Sequence, residues 1–306
     1  MNKLLLIGLT MLCSTTAFGQ INMADSTVQV IGYWDNKEKQ TYSVIYDKYQ
    51  LKAADTLSKE QINYEVEVTI IDSTAKSYTI EWFYKDFKIN SDNQFTKKLA
   101  SISQDIKVII KTSEMGEFTE VVNWVEVRDY VKKSIAVLKE EFKDIPKINE
   151  IADQVGGMFS TKEAIESAAI KDIHQFYTYH GAKYKLGEDI EAKIKLPNLY
   201  GGEPFDTDVT IRLDEIREEE GNSIIRMWQT IDSQQLTEAS FAYIKEMAKI
   251  TGTETLNFDD IPPLKNEIRT SSLIHGDSGW VVYSIETREV SAEDTVNIEE
   301  RVIELK

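Results

Sequence analysis

In His275-Gly276-Asp277-Ser278-Gly279-Trp280 a serine stands between glycines, where its hydroxyl is a candidate nucleophile. A serine acts that way only with a histidine base within hydrogen-bond reach and a carboxylate that orients the base. The chain has 3 histidines, and the two earlier ones, His174 and His180, stand in no context that supplies such a base. Gly, Asp and Ser are also the residues that close turns between strands, and the turn is the preferred reading of Ser278. His174 and His180 fit neither the helical i, i+4 pair nor a zinc-finger spacing. Asp206 with Asp208 and Asp259 with Asp260 offer calcium-type oxygens, but no Asp-x-Asp-x-Asp-Gly loop surrounds them. No glycine-rich phosphate loop or dinucleotide fingerprint occurs. The expectation is a chain with no metal ion, no organic cofactor and no catalytic residue that can be singled out.

Aromatic side chains are the remaining chemistry. Trp34, Trp82, Trp124, Trp228 and Trp280, with 14 Tyr and 11 Phe, suffice to line a groove for a sugar or an apolar ligand. Most fall on the inward phase of an expected strand or helix and read as core. Trp34 and Tyr200 lie near turns and are the ligand-contact candidates.

The elements that must position these residues follow from periodicity. Over Glu117 to Phe142 the apolar residues Trp124, Val127, Val131, Ile135, Leu138 and Phe142 recur at steps of three or four, the stripe of a long amphipathic helix. Asn123 and Glu126 have capping-box spacing, and Pro146 ends the segment. Before it, Tyr64, Val66, Val68 and Ile70 alternate with polar residues, as do Tyr78, Ile80, Trp82 and Tyr84, the period of a strand with one wet face. After it, Ser160 to Glu163 offers a second capping box, and alternation returns over Ile190 to Leu196 and Val209 to Leu213. Gln234 to Ile250 reads as a shorter helix ended by Gly252. The expected fold is α+β, mostly antiparallel sheet in two halves with the long helix between them. The halves are 20–115 and 173–306, with 116–172 as a central helical segment. Trp82 and Trp228, each late in the second arm of a hairpin, suggest an internal repeat.

Residues 1–19 carry Lys3, an apolar run from Leu4 to Cys13, and Ala17-Phe18-Gly19, the pattern of a secretory signal peptide cut after Gly19. Cys13 as a lipoprotein anchor is disfavoured by the bulky Leu12 before it. Cys13 is the chain's 1 cysteine, so its loss with the signal removes disulfides and thiolate metal sites. The formal net charge of −17 repels phosphate backbones and anionic membrane surfaces, which makes nucleic acid a poor partner.

Two resemblances rest on these residues. Gly276-Asp277-Ser278-Gly279 resembles, over four residues only, the nucleophile loop of trypsin-like serine proteases, with Trp280 where those carry a second glycine. Over most of the chain, Ala17-Phe18-Gly19-Gln20, Leu196-Pro197-Asn198, Gly201-Gly202-Glu203-Pro204 and Gly279-Trp280 resemble a group of exported Bacteroidota proteins of unknown function. The second resemblance implies a periplasmic or secreted protein of a Gram-negative envelope. It also implies O-glycan acceptors at Asp-Ser or Asp-Thr sites, here Ser26, Thr56, Ser73 and Thr295, each in an expected loop or turn. The functional expectation is a non-catalytic envelope protein that binds an apolar or glycan ligand, or a protein partner, in a cavity between sheets. The alternative is a hydrolase of envelope or dietary polymers.

Overall fold

The computed structural model describes residues 20–306 apart from 54, 92–93, 95–96, 99–100, 145–146, 199–201 and 252–256. The expected signal peptide, Pro146, Tyr200 and Gly252 lie outside the described residues. Nearly all strand residues belong to one antiparallel sheet. Its strands are β3 (Lys39–Lys52), β4 (Asp55–Thr74), β5 (Ser77–Asn90), β6 (Lys107–Ser113), β7 (Phe118–Val121), β9 (Asp189–Leu196), β10 (Phe205–Arg217), β11 (Asn222–Ile231), β12 (Lys265–His275), β13 (Val281–Ala292) and β14 (Thr295–Leu305). They lie in the order β7-β6-β5-β4-β3-β14-β13-β12-β11-β10-β9. A small second sheet joins β1 (Ile21–Asn22), β2 (Thr27–Gln29) and β8 (Lys183–Lys185).

The pairing of β3 with β14, from Lys52↔Thr295 to Tyr42↔Leu305, fuses the N-terminal and C-terminal strands into one continuous surface. Two sheets bracketing a helix, as the sequence suggested, are therefore replaced by one sheet with helices packed on it. The tryptophans that hinted at a repeat are not equivalent. Trp82 pairs with Val68 and Val108 on the buried face, whereas Trp228 lies on the same face as Arg269 and is 37% exposed. A strand's period of two makes a one-residue difference in phase enough to send a side chain to the opposite face.

On the buried face, Tyr42, Val44, Val66, Val68, Ile70, Ile80, Trp82, Val108, Ile110, Leu213, Ile225 and Ile303 form the sheet's share of the core. The other face carries ion pairs such as Lys85 to Glu67 at 2.6 Å and Lys107 to Glu81 at 3.1 Å. The longer helices among the described residues are α1 (Trp124–Glu141), α2 (Ile148–Gly157), α3 (Lys171–Tyr177) and α4 (Ser233–Thr251). In α1 the stripe Val127, Val131, Ile135 and Leu138 is buried. Asn123 does not cap α1 with its side chain. Its Oδ1 accepts from the Ile109 N–H at 2.7 Å and its Nδ2 donates to the Lys107 carbonyl at 2.9 Å, tying the helix start to β6. Gly156 and Gly157 finish α2.

The second capping box also resolves differently. Thr161, not Ser160, is the N-cap, its Oγ1 accepting from the Ala164 N–H at 3.1 Å, and the helix then widens into a π-turn over Ile165–Ala169. The widening reorients the following turn, and α3 buries Asp172, Ile173, Gln175, Phe176 and Tyr177 together. A helix buried on nearly every side has to sit inside the protein. Phe176 meets Trp82 and Tyr42 edge to face, each at 5.3 Å, and full burial of such a ring stabilises by about 2 to 3 kcal/mol.

Next to α3, His180 is buried beside Trp34 and Phe176, and its Nε2 donates to the Gly279 carbonyl at 2.8 Å. Burial holds its pKa down at about 4, against an ordinary 6.5. The unfolded chain therefore takes up a proton between pH 6.5 and 4 that the folded chain refuses. Stability from this group is complete above pH 6.5 and is lost as pH falls toward 4, by about 3 kcal/mol. Urea denaturation across that window should show the loss, and His180→Gln, which keeps a donor for Gly279, should flatten the slope. An unchanged slope would assign the acid limb to other groups.

Candidate functional site

The serine turn is built into the frame. Ser278 Oγ is hydrogen-bonded to His275 Nδ1 at 2.9 Å and accepts from the Trp280 N–H at 3.3 Å. The Ser278 carbonyl accepts from Tyr33 N–H at 2.9 Å, so the turn anchors the N-terminal segment. The three histidines are dispersed: His174 Nε2 bonds the Glu166 carbonyl, His180 bonds Gly279 and His275 bonds Ser278. Among the described residues no group of three or more His, Cys, Asp or Glu side chains could hold a metal ion. Asp206 pairs with Lys195 at 2.7 Å and Asp208 with Lys193 at 3.0 Å.

Trp34 is 4% exposed and lines no groove; its ring lies 5.1 Å from Tyr78 and 5.1 Å from Trp280, within the core. Its position near a turn made it look accessible, but the rings of Tyr78, Tyr177, His180 and Trp280 pack around it. Among the suggested acceptor hydroxyls, Ser26 lies in the turn between β1 and β2 with a left-handed φ of 53°. Thr56, Ser73 and Thr295 lie in strands near hairpin ends and not in the loops themselves, with Thr56 and Ser73 exposed.

A second group of polar side chains gathers elsewhere, between the sheet and α3. A cavity of about 270 Å³ has apolar walls from Ile62, Phe87, Ile106, Val108, Val127, Phe159, Ile165 and Ile170. Its polar end holds Tyr46, Tyr64, Tyr84, Lys171, Asp172 and Arg301. The π-turn and α3 deliver Lys171 and Asp172, β3 to β5 deliver the tyrosines, and β14 delivers Arg301. Tyr64 and Tyr84 donate to the two oxygens of Asp172, at 3.2 and 3.0 Å, and Asp172 Oδ1 also accepts from the Ile173 N–H at 3.0 Å. Burial, reinforced by the Asp172 charge, pushes both phenols well above the ordinary tyrosine range, so they remain donors. Arg301, 8% exposed, donates to Glu286 at 3.3 Å and lies 5.2 Å over the Tyr46 ring.

Lys171 is different. Among the described residues its ammonium makes neither a hydrogen bond nor an ion pair, and burial pulls its pKa below the ordinary lysine value despite Glu299 and Glu286 nearby. It also lines an adjoining cavity of about 170 Å³ with Tyr46, His174, Ile268, Glu286, Arg288, Glu299 and Arg301. The two cavities share Lys171 and Arg301, and their joint wall holds three cations, Lys171, Arg288 and Arg301, and three carboxylates, Asp172, Glu286 and Glu299. In a larger groove of about 700 Å³ between α1 and α2, Lys139 pairs with Asp153 at 2.5 Å and Arg128 with Asp129 at 2.9 Å, while Lys132 is exposed to solvent. Those charges have less to gain from a ligand than an unpaired, desolvated ammonium has.

The sequence pointed to none of these six polar residues. Their signal is weak: charges on the inward phase of strands, such as Arg301 and Glu299 two and four residues before Ile303, show up only once the inward phase is known.

Fold and site together define an α+β protein whose helices cover one face of a long antiparallel sheet, with a cavity of apolar and charged lining between them. No protein-family model matches the chain, and no curated protein matches it. Among solved structures, one described as lipid-protein interactions in lipovitellin is similar at a TM-score of 0.42 and 10% identity, over 90% of this chain and 25% of that one. The chain thus spans about a quarter of that protein's length. No helix among the described residues is long and apolar enough to cross a membrane.

Proposed function

We propose that the protein is a non-catalytic binding protein of the Gram-negative envelope that takes a small amphipathic anion into the cavity under α3. The unpaired ammonium of Lys171 at the end of an apolar chamber carries this reading. A half-buried ammonium that makes no hydrogen bond is costly, and an anionic head group with an apolar tail would relieve it while filling the chamber. The volume is near the lower end of small-molecule sites, which run from about 300 Å³ upward, so the tail is short. Asp172 is already satisfied by two phenols and a backbone N–H, and so serves as an anchor for the tyrosines instead of a base for chemistry.

Decanoate and decanol, equal in chain length and different in charge, test the reading by thermal unfolding and calorimetry. Decanoate should raise the unfolding midpoint more than decanol, since a ligand at a hundred times its Kd stabilises by about 2.7 kcal/mol. Lys171→Met should raise the ligand-free midpoint, because it removes a desolvated charge, and should erase the preference for decanoate. Equal shifts with both probes would remove the head-group assignment, and no binding of either would remove the cavity as the site.

A further inference from the structure

We propose that strand β9 pairs with the same strand of a second copy of this chain, antiparallel about a two-fold axis at Ala192, so that two sheets become one. β9 ends the sheet, and residues 189–195 are all exposed. An uncovered edge strand presents a row of free N–H and C=O groups, a template for another strand.

The opposite edge is treated differently. β7 has only 4 residues, its Val121 N–H is taken by the Glu166 carboxylate at 2.7 Å, and Lys162 reaches across to Glu120 at 2.5 Å. Helical-layer side chains thus block one edge, and among the described residues nothing comparable covers the other. A lone edge strand is usually protected by shortness, proline, a bulge or charged side chains, lysine above all. β9 has 8 residues and no proline, and its charges come in two blocks, Asp189 and Glu191, then Lys193 and Lys195.

That order is self-complementary. Pairing about Ala192 sets Asp189 opposite Lys195 of the second copy, Glu191 opposite its Lys193, Ile190 opposite its Ile194, and Ala192 opposite itself. Other registers fail: a slip of one residue sets isoleucine against lysine or glutamate, and a slip of two sets Glu191 against Glu191 or Lys193 against Lys193. Ile190 and Ile194, 43% and 37% exposed, share a face with the buried Val209 and would cover one another across the axis. Asp189, Lys193 and Lys195 already pair with Arg212, Asp208 and Asp206 of β10, so the second copy would extend an existing ladder. Glu191 makes no ion pair among the described residues and would gain one. A strand that meets itself in this way gives the isologous contact of a two-fold dimer, which closes and does not polymerise.

Light scattering on size-separated purified protein, over a dilution series, tests the pairing. The wild type should pass from monomer to dimer as concentration rises. Glu191→Lys alone and Lys193→Glu alone should each set like charges opposite one another and weaken the dimer by about tenfold or more. An equimolar mixture of these two variants should restore it, because a strand with both middle positions cationic then meets one with both anionic. Thermal melts of each variant serve to check that the fold is retained. A wild type that is monomeric at every concentration, single variants that still dimerise, or a mixture that stays monomeric would each overturn the proposal.

Discussion

Gly279→Ala is expected to cost roughly 4 kcal/mol or more, enough to unfold a protein of ordinary stability. Gly279 has φ +71°, and a β-carbon there would sit 2.1 Å from the Ile31 carbonyl oxygen and 2.8 Å from its carbon. Both are backbone atoms, so no side-chain rotation relieves the clash. The segment cannot move aside cheaply either, because Tyr33 N–H is bonded to Ser278, Gly32 N–H to Met115, and the Gly279 carbonyl to His180. Gly187→Ala is the control: its φ of +73° is similar, but nothing lies within 4 Å of the new carbon. That substitution should cost only the left-handed backbone penalty of about 1 to 2 kcal/mol. Urea denaturation of both variants reads the difference directly. Equal losses would mean that the turn does not press on the N-terminal segment.

The second large effect lies at the cavity. Asp172→Ala should destabilise by about 3 to 5 kcal/mol, since it strands two buried phenol donors and removes a negative charge from beside Arg301. Asp172→Asn keeps one acceptor oxygen and should lose less. Adding Tyr64→Phe and Tyr84→Phe to Asp172→Ala should recover about 1 to 3 kcal/mol for each hydroxyl no longer stranded. If the triple variant is no more stable than Asp172→Ala, the cost does not come from unsatisfied donors. The same series separates scaffold from ligand contact. Asp172 and its phenols should govern stability, and Lys171 should govern the preference between decanoate and decanol.

Local pattern was legible and spatial assignment was not. The alternation around Tyr64 to Ile70 and Tyr78 to Tyr84 identifies β4 and β5 because one wet and one dry face force a period of two. The spacing Val127, Val131, Ile135, Leu138 identifies the stripe that α1 buries for the equivalent reason in a helix. Capping was less legible. Asn123 has the right chemistry for a cap, but the exposed donor and acceptor of β6 compete for the same amide and take it. The candidate site was hidden for a sharper reason. Arg301, Asp172 and Lys171 form no motif, and they are distant in sequence from the tyrosines they face.

From the sequence alone came the strand and helix periods, the antiparallel character, the turn at Ser278 and the lack of a recognisable catalytic or metal-binding motif. All of these depend on neighbours within a few residues, where backbone geometry leaves little choice. Only the tertiary structure joined β3 to β14, put Trp82 and Trp228 on opposite faces, sank Trp34 into the core and brought Lys171 to the end of an apolar chamber. These depend on pairing between segments far apart in the chain. The free energy that selects such a pairing comes from burying whole faces together, and no single stretch of the chain contains it.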